Sequence, residues 1–197
     1  MNRYEQAKEF IIDKLKAELP KNLSYHGLHH VLDVLDVAGK LGVKEKISET
    51  EMELLKVAVL FHDSGFIVDS KNHEKISCDF AKESLPRFGY NEEEVKAICS
   101  MIMATKFPHD PKSLLEEIIC DADLDYLGRE DYFKISNDLF MELRTYGILS
   151  NEKEWYQLQE SFLRAHTYFT RTAEQMRSAK KEEHLNKIRE TLKSKSA

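Results

Sequence analysis

The sequence is poor in the residues that interrupt helices. Among 197 residues there are only 7 Gly and 4 Pro, which is few for an all-β chain with many tight turns. Its 3 Cys (Cys78, Cys99 and Cys120) are odd in number, widely spaced and without a CxxC pair. This pattern argues against a disulfide framework, so we expect three reduced core cysteines.

Long apolar runs and an excess of basic charge are also missing. No stretch approaches 18 consecutive apolar residues, which rules out a transmembrane helix. Residues 1–9 lack the basic-then-apolar pattern of a secretory signal, so we expect a cytoplasmic protein. The net charge of −6 disfavours a general nucleic-acid binder.

One segment departs from this charge balance. Residues 177–197 hold seven Lys or Arg and only three Glu. We interpret this basic end as a solvated helix face or a frayed terminus, with an anionic partner or a subunit contact as the alternative.

Apolar residues recur at helical spacing along almost the whole chain, and no long stretch alternates with period two. With 42% hydrophobic and 32% charged residues, the chain is typical of a folded globular protein. We predict an all-α fold of about eight helices in a single domain, 1–197. The predicted helices span residues 2–19, 26–41, 52–63, 72–85, 91–106, 113–127, 131–146 and 150–169, the last continuing towards Leu192.

Capping patterns support several of these helix starts. Ser48 with Glu51, and Ser113 with Glu116, have the spacing of a capping box. The further candidate N-caps are Asn72, Asn91 and either Ser150 or Asn151.

Three polar clusters stand out against this apolar background. The first is Tyr25–His30, in which His26 and His30 are four residues apart and share one face of a predicted helix. The second is His62-Asp63, at the end of the most apolar helix, and the third is Asp121–Asp125. Buried carboxylates are costly unless they are paired or bind a metal. The three clusters together therefore suggest one metal site with nitrogen and oxygen ligands.

A simpler interpretation exists for each pair alone. His62 would then cap its helix, and Asp63 would belong to the turn before Gly65. This explanation weakens when all three clusters are considered, because one domain would bury several uncompensated charges.

The order and spacing of these residues resemble a known family. His30, then His62-Asp63, then Asp123 in an Ala-Asp-x-Leu context, is similar to the H…HD…D pattern of the HD-domain metal-dependent phosphohydrolases. The resemblance covers residues 23–127, with C-terminal helices at 131–195 expected to pack on that core. It implies an all-α fold and a divalent metal bound by the two His and two Asp residues.

Two further roles follow from the resemblance. Tyr25-His26 with His30 is similar to the Tyr-His-x-x-x-His start of the cyclic-nucleotide phosphodiesterase branch, which implies that His26 donates a proton to the leaving oxygen. His29 is the alternative to His26 as proton donor and to His30 as metal ligand, although it is turned by about 100° from His30 on a helix. Lys106 is a candidate phosphate-binding residue, with a solvated helix-end lysine as the alternative.

The resulting hypothesis is hydrolysis of a phosphoester by metal-activated water. The metal is one of Mn, Fe, Zn, Co, Ni or Mg, and a second ion near His73 and His109 is left open. The expected substrate is a nucleotide or another small phosphorylated molecule, and a homodimer is left open. The alternatives are a catalytically silent nucleotide-sensing module and a di-iron oxygenase, which would need further His ligands.

Overall fold

The computed structural model describes residues 2–194. The ends of the predicted 1–197 domain, and residue 195 of the predicted 131–195 helices, therefore lie outside the described residues. Within residues 2–194 the chain forms nine α-helices and three short 3₁₀ turns, and no β-strand. The predicted all-α fold is confirmed. The helices fall into two compact units, so the single domain stays a prediction.

The first unit comprises residues 2–21 and 26–123 of the described chain. Its central element is a helix in which every residue from Leu54 to Phe61 except Lys56 is buried. The other helices of the unit pack around this one. The six helices are α1 (Arg3–Glu18), α2 (Leu28–Lys44), α3 (Glu49–Phe61), α4 (His73–Ser84), α5 (Glu92–Ala104) and α6 (Leu114–Asp123).

The predicted caps have mixed outcomes. Ser48 forms the full capping box with Glu51, and Asn91 forms one with Glu94. At α6 only half of the predicted box is present, since the Glu116 amide donates to Ser113 while its carboxylate accepts from Lys112 and Ser100.

Asn72 occupies the N-cap position of α4, as predicted, but its side chain makes no capping hydrogen bond. The side chain instead donates a hydrogen bond to Asp69, within the turn before the helix. A short amide side chain has local backbone and side-chain partners on both sides, and the sequence does not show which one it takes.

The second unit comprises residues 22–25 and 124–194 of the described chain. It contains α7 (Tyr132–Thr145), α8 (Glu152–Ala165) and α9 (Arg171–Ser194). Its core brings together residues from every segment of the unit, namely Tyr25, Leu124, Tyr126, Leu127, Tyr132, Leu163, Leu185 and Ile188. An ion pair also joins the buried Asp125 to the partly exposed Arg177 at 2.6 Å, which offsets part of the cost of burying the carboxylate.

The last predicted helix is two helices. Asn151 caps α8, and the helix ends at His166, whose backbone is extended. The chain resumes helical geometry only at Arg171. The predicted helix over 150–169 is thus correct up to residue 165, and its continuation towards Leu192 is a separate helix.

Cys78, Cys99 and Cys120 are free and buried, as predicted. Between residues 2 and 194, none of the helices combines the length and the apolar character that a membrane span requires.

A close backbone approach shapes the turn that follows α3. The 3₁₀ turn Ser64–Ile67 lies against the start of α4. A Cβ atom at Gly65 would be 2.0 Å from the carbonyl oxygen of His73 and 2.6 Å from its Cα. Only glycine therefore fits at this position without moving the backbone of α4.

We expect Gly65→Ala to lower the free energy of unfolding by about 3 kcal/mol, because the methyl group meets rigid backbone. The control is Gly39→Ala in α2, whose nearest neighbour would be Lys56 Cε at 3.8 Å. This control should stabilise the protein by about 0.5–1 kcal/mol, since it removes a helix-interior glycine. Urea unfolding of both variants is the measurement, and equal stability of the two would contradict the expectation.

Candidate metal centre

Three helices of the first unit bring polar side chains to one place. His30 lies in the first turn of α2 and is buried. His62 and Asp63 follow the last residue of α3, and Asp123 is the last residue of α6. Helix ends supply these residues because a helix end lets the chain turn while its last side chains stay beside the core.

The side chains form one tight group. One ligand atom from each of His30, His62 and Asp123 lies within 4.8 Å of the others. Asp123 Oδ1 is 3.0 Å from His30 Nε2 and 3.6 Å from His62 Nε2. Asp63 Oδ2 lies 3.4 Å from each of the same two nitrogen atoms. All four residues proposed as ligands from the sequence are therefore adjacent.

The hydrogen bonding of His62 leaves its second nitrogen available. Its Nδ1 donates to the carbonyl oxygen of Val59 at 2.7 Å, so a neutral ring carries its lone pair on Nε2. Within residues 2–194, neither His62 Nε2 nor Asp63 Oδ2 has a hydrogen-bond partner. Fully buried acceptor atoms that face one another are unfavourable unless a cation lies between them. The residues present therefore fit a divalent metal ion.

The electrostatics of the group agree with this geometry. Burial alone would lower the pKa of His62, but the charges of Asp63 and Asp123 outweigh it and raise this pKa to about 9. Burial would raise the pKa of each carboxyl, yet the surrounding imidazoles hold the pKa of Asp63 low and that of Asp123 lower still. The centre of the group is thus a position that favours positive charge.

A serine of α4 fixes the turn that carries His62 and Asp63. Ser77 is fully buried, and its hydroxyl donates to the carbonyl of His62 at 2.7 Å while it accepts from the amide of Gly65 at 2.8 Å. One hydroxyl group therefore holds the backbone before Asp63, at His62, and after it, at Gly65. Such outer contacts orient metal ligands without touching the metal.

Asp63 also faces a third histidine, His73. His73 donates from Nδ1 to the carbonyl of Ser70 at 2.9 Å, and its Nε2 is 3.6 Å from both Asp63 Oδ1 and Glu74 Oε1. Glu74 is buried, and its Oε2 has no hydrogen-bond partner in the described part of the chain. The contacts described for His109 are instead with Thr105 and Phe107. None of these described contacts brings His109 next to His73.

The remaining predicted residues differ in their surroundings. His26 is half-buried, and its ring centroid is 6.1 Å from that of His30. His29 and Lys106 are exposed, Lys106 just beyond α5. The helix predicted to start at His26 starts at Leu28, because Gly27 is extended and serves as its N-cap. His26 therefore approaches His30 from the segment before the helix and not along a helical face.

Three residues of this region were not singled out from the sequence, namely Phe66, Ser77 and Glu74 as a buried carboxylate. Ser77 and Phe66 have ordinary spacing within apolar stretches, so only their contacts distinguish them. The adjacent pair His73-Glu74 carried a signal, since two titratable residues open a helix ten residues after His62-Asp63.

Comparisons with known proteins agree with the architecture. The family model of the HD domain matches residues 27–125, which is half of the chain. An uncharacterized protein of Clostridium beijerinckii is 31% identical over 86 residues, covering 42% of this chain and 54% of that protein. The chain thus spans about half the length of the curated relative that it matches.

Solved structures with the same fold cover nearly the whole chain. A predicted HD superfamily hydrolase from an uncultured Thermotogales bacterium has a TM-score of 0.61 at 18% identity, covering 94% of this chain and 91% of that one. Bacillus subtilis YpgQ in complex with ADP has a TM-score of 0.67 at 17% identity, covering 97% of both chains. A second YpgQ structure has a TM-score of 0.67 at 21% identity, covering 98% and 95%.

The contacts of Ser77 generate a test. We expect Ser77→Ala to lower the free energy of unfolding by about 1–3 kcal/mol, because two buried backbone groups lose their partner. We also expect about tenfold weaker Mn²⁺ binding, since the ligand turn is released. Isothermal titration calorimetry and urea unfolding are the measurements.

The matched control for this test is Ser84→Ala. Ser84 is buried on the same helix, but its hydroxyl contacts only the carbonyl of Phe80 within that helix. We expect it to change stability by less than about 1 kcal/mol and to leave Mn²⁺ affinity unchanged. Equal effects of the two variants on Mn²⁺ affinity would show that Ser77 does not orient the turn.

Proposed function

The chain belongs to the HD-domain family, and we propose that it is a metal-dependent phosphohydrolase acting on a phosphoester of a small phosphorylated molecule. The observation that carries the proposal is the convergence of His30, His62, Asp63 and Asp123, in which His62 Nε2 and Asp63 Oδ2 have no hydrogen-bond partner among residues 2–194. The fold is that of HD superfamily hydrolases, in keeping with this activity.

The four ligands would hold the cation through two imidazole nitrogens and two carboxylates, a set suited to Mn, Fe, Zn, Co or Ni, and to Mg less well. When bound, the ion supplies acidity to water and offsets negative charge on the phosphate. His73, with Asp63 and Glu74 beside it, would hold a second ion.

The protein's own residues supply the remaining steps. His26 lies beside His30, and its charge contributes to the low pKa of Asp63, which places it within reach of the same centre. We assign to it the proton that the leaving alkoxide oxygen takes up. We also propose that Lys106 binds the phosphate of the substrate, acting as a compact positive charge.

We propose a nucleotide as the substrate. The support is the ADP bound by YpgQ, whose fold this chain shares over nearly its full length. The cation would then contact a phosphate while the rest of the nucleotide selects among substrates. A cytoplasmic location and the absence of a nucleic-acid partner stay predictions from the sequence, as does the possible homodimer.

The nucleotide-sensing module remains the second candidate, because ADP binding by a structural neighbour is compatible with binding without turnover. The di-iron oxygenase requires additional histidine ligands. His73 lies near the centre, whereas the described contacts of His109 are with Thr105 and Phe107, so this alternative has less support.

Phosphate release and nucleotide hydrolysis, both measured on a panel of mono-, cyclic, di- and polyphosphorylated nucleotides and an aryl phosphate, test the proposal. We expect turnover that depends on added Mn, Mg, Co, Ni, Fe(II) or Zn and disappears with a chelator. His62→Ala/Asp63→Ala, prepared identically, should lose at least about 10³-fold in rate, because two of the four ligands are gone.

The outcomes separate the candidates. Metal-dependent turnover that is lost in the double variant supports the hydrolase, and the best substrate identifies its class. Tight metal and nucleotide binding without product would instead support the sensing module. Oxygen consumption by iron-loaded protein would support the oxygenase.

The two neighbouring histidines allow a matched test of the proton donor. We expect His26→Gln to lower kcat on an alkyl phosphate by about 10²-fold, since the leaving alkoxide loses its proton source. His29→Gln changes an exposed residue in the same way and should retain the wild-type rate. If His29→Gln is the slower variant, the roles are reversed.

A further inference from the structure

The Phe66 side chain contacts two histidines at once. Its ring centroid is 4.1 Å from that of His26, with the rings nearly parallel at 19°. It is 4.3 Å from the ring of His73, tilted by 33°. The two imidazoles are themselves 6.4 Å apart, so Phe66 lies against both while they do not stack on each other.

The position of the Phe66 ring is fixed by the backbone below it. Phe66 belongs to the 3₁₀ turn Ser64–Ile67, and its amide donates to the carbonyl of Asp63 at 3.1 Å. The preceding Gly65 is held by Ser77 and lies against the backbone of His73. Phe66 is itself buried. The ring is therefore a fixed surface and not a mobile side chain.

His26 needs such a surface more than the metal ligands do. It precedes the N-cap of α2, so no helical backbone fixes the direction of its side chain. An imidazole has two side-chain torsions, and a near-parallel aromatic contact restricts both of them.

We propose that Phe66 is a positioning residue, which orients the imidazole of His26 beside the His30 side of the metal group and keeps it apart from His73. The inference rests on the proposed function for the role of His26, but the placement of the ring is independent of it. Misplacing a catalytic group by about 1 Å costs on the order of 10²-fold in rate, so such a surface has a measurable effect.

The first test needs no turnover. In aromatic ¹H–¹³C spectra of the zinc-loaded protein, the His26 ring signals are assigned by their loss in His26→Gln. We expect them to carry an upfield ring-current shift, which disappears in Phe66→Leu and is retained in Phe66→Tyr. An unchanged His26 signal in Phe66→Leu would overturn the proposal.

The second test separates positioning from general damage. For Phe66→Leu we expect kcat on an alkyl phosphate to fall by about 10- to 100-fold, because the alkoxide needs its proton. On p-nitrophenyl phosphate, whose leaving group is a stable anion, kcat should fall by less than about threefold. KM and the affinity for Mn²⁺ should stay within about twofold of wild type, since the four ligands are untouched.

The control is Phe133→Leu in the second unit, where the phenylalanine also lies beside a histidine, His184, at 5.3 Å. It should leave both substrates and the His26 signal unchanged. Equal losses on both phosphates, or loss of Mn²⁺ binding in Phe66→Leu, would mean that Phe66 is only structural. If the wild type hydrolyses no phosphoester, the proposed function fails, while the His26 spectrum still decides whether Phe66 orients this ring.

Discussion

The cost of burying charge beside α3 is the constraint on which the first unit depends. His62 is completely buried and Asp63 and His30 nearly so, beside a helix whose buried side chains are all apolar. Among the described residues, His62 Nε2 and Asp63 Oδ2 have no hydrogen-bond partner. A single shared cation resolves the whole arrangement, because it is attracted by both carboxylates and accepts both imidazole lone pairs.

The four ligands come from three parts of the unit, so the geometry of the centre depends on how the helices pack. His30 depends on α2, Asp123 on the end of α6, and His62 with Asp63 on the turn after α3. That turn is fixed from α4, by the hydroxyl of Ser77 and by the absence of a side chain at Gly65. A fourth helix thereby controls ligand direction although none of its side chains belongs to the group of His30, His62, Asp63 and Asp123.

The sequence predicts the parts of this design that rest on periodicity and on residue type. The all-α fold, most helix bounds and the adjacency of His30, His62, Asp63 and Asp123 follow from apolar spacing, caps and a family pattern. The remaining features depend on tertiary contacts. The start of α2 at Leu28 depends on the backbone of Gly27, and the break after Ala165 on extended backbone at His166. The placement of Phe66 depends on His26, which lies far from it in sequence, and on His73 in the next helix. It therefore has no local signature.

The residues just before His26 form hydrogen bonds with residues of α7, more than 100 positions later in the chain. The amide of Tyr25 donates to Glu142 at 2.8 Å, 117 residues later, and the hydroxyl of Ser24 donates to the carbonyl of Asp138. During synthesis, an N-terminal segment can take its final place only after its partners have left the ribosome. His30, His62, Asp63 and Asp123 all precede α7, so the nascent chain can assemble the metal ligands before the segment leading into His26 is anchored. Completion of the centre on the ribosome is therefore expected in two stages, the cation-binding group first and the flank that carries His26 after it.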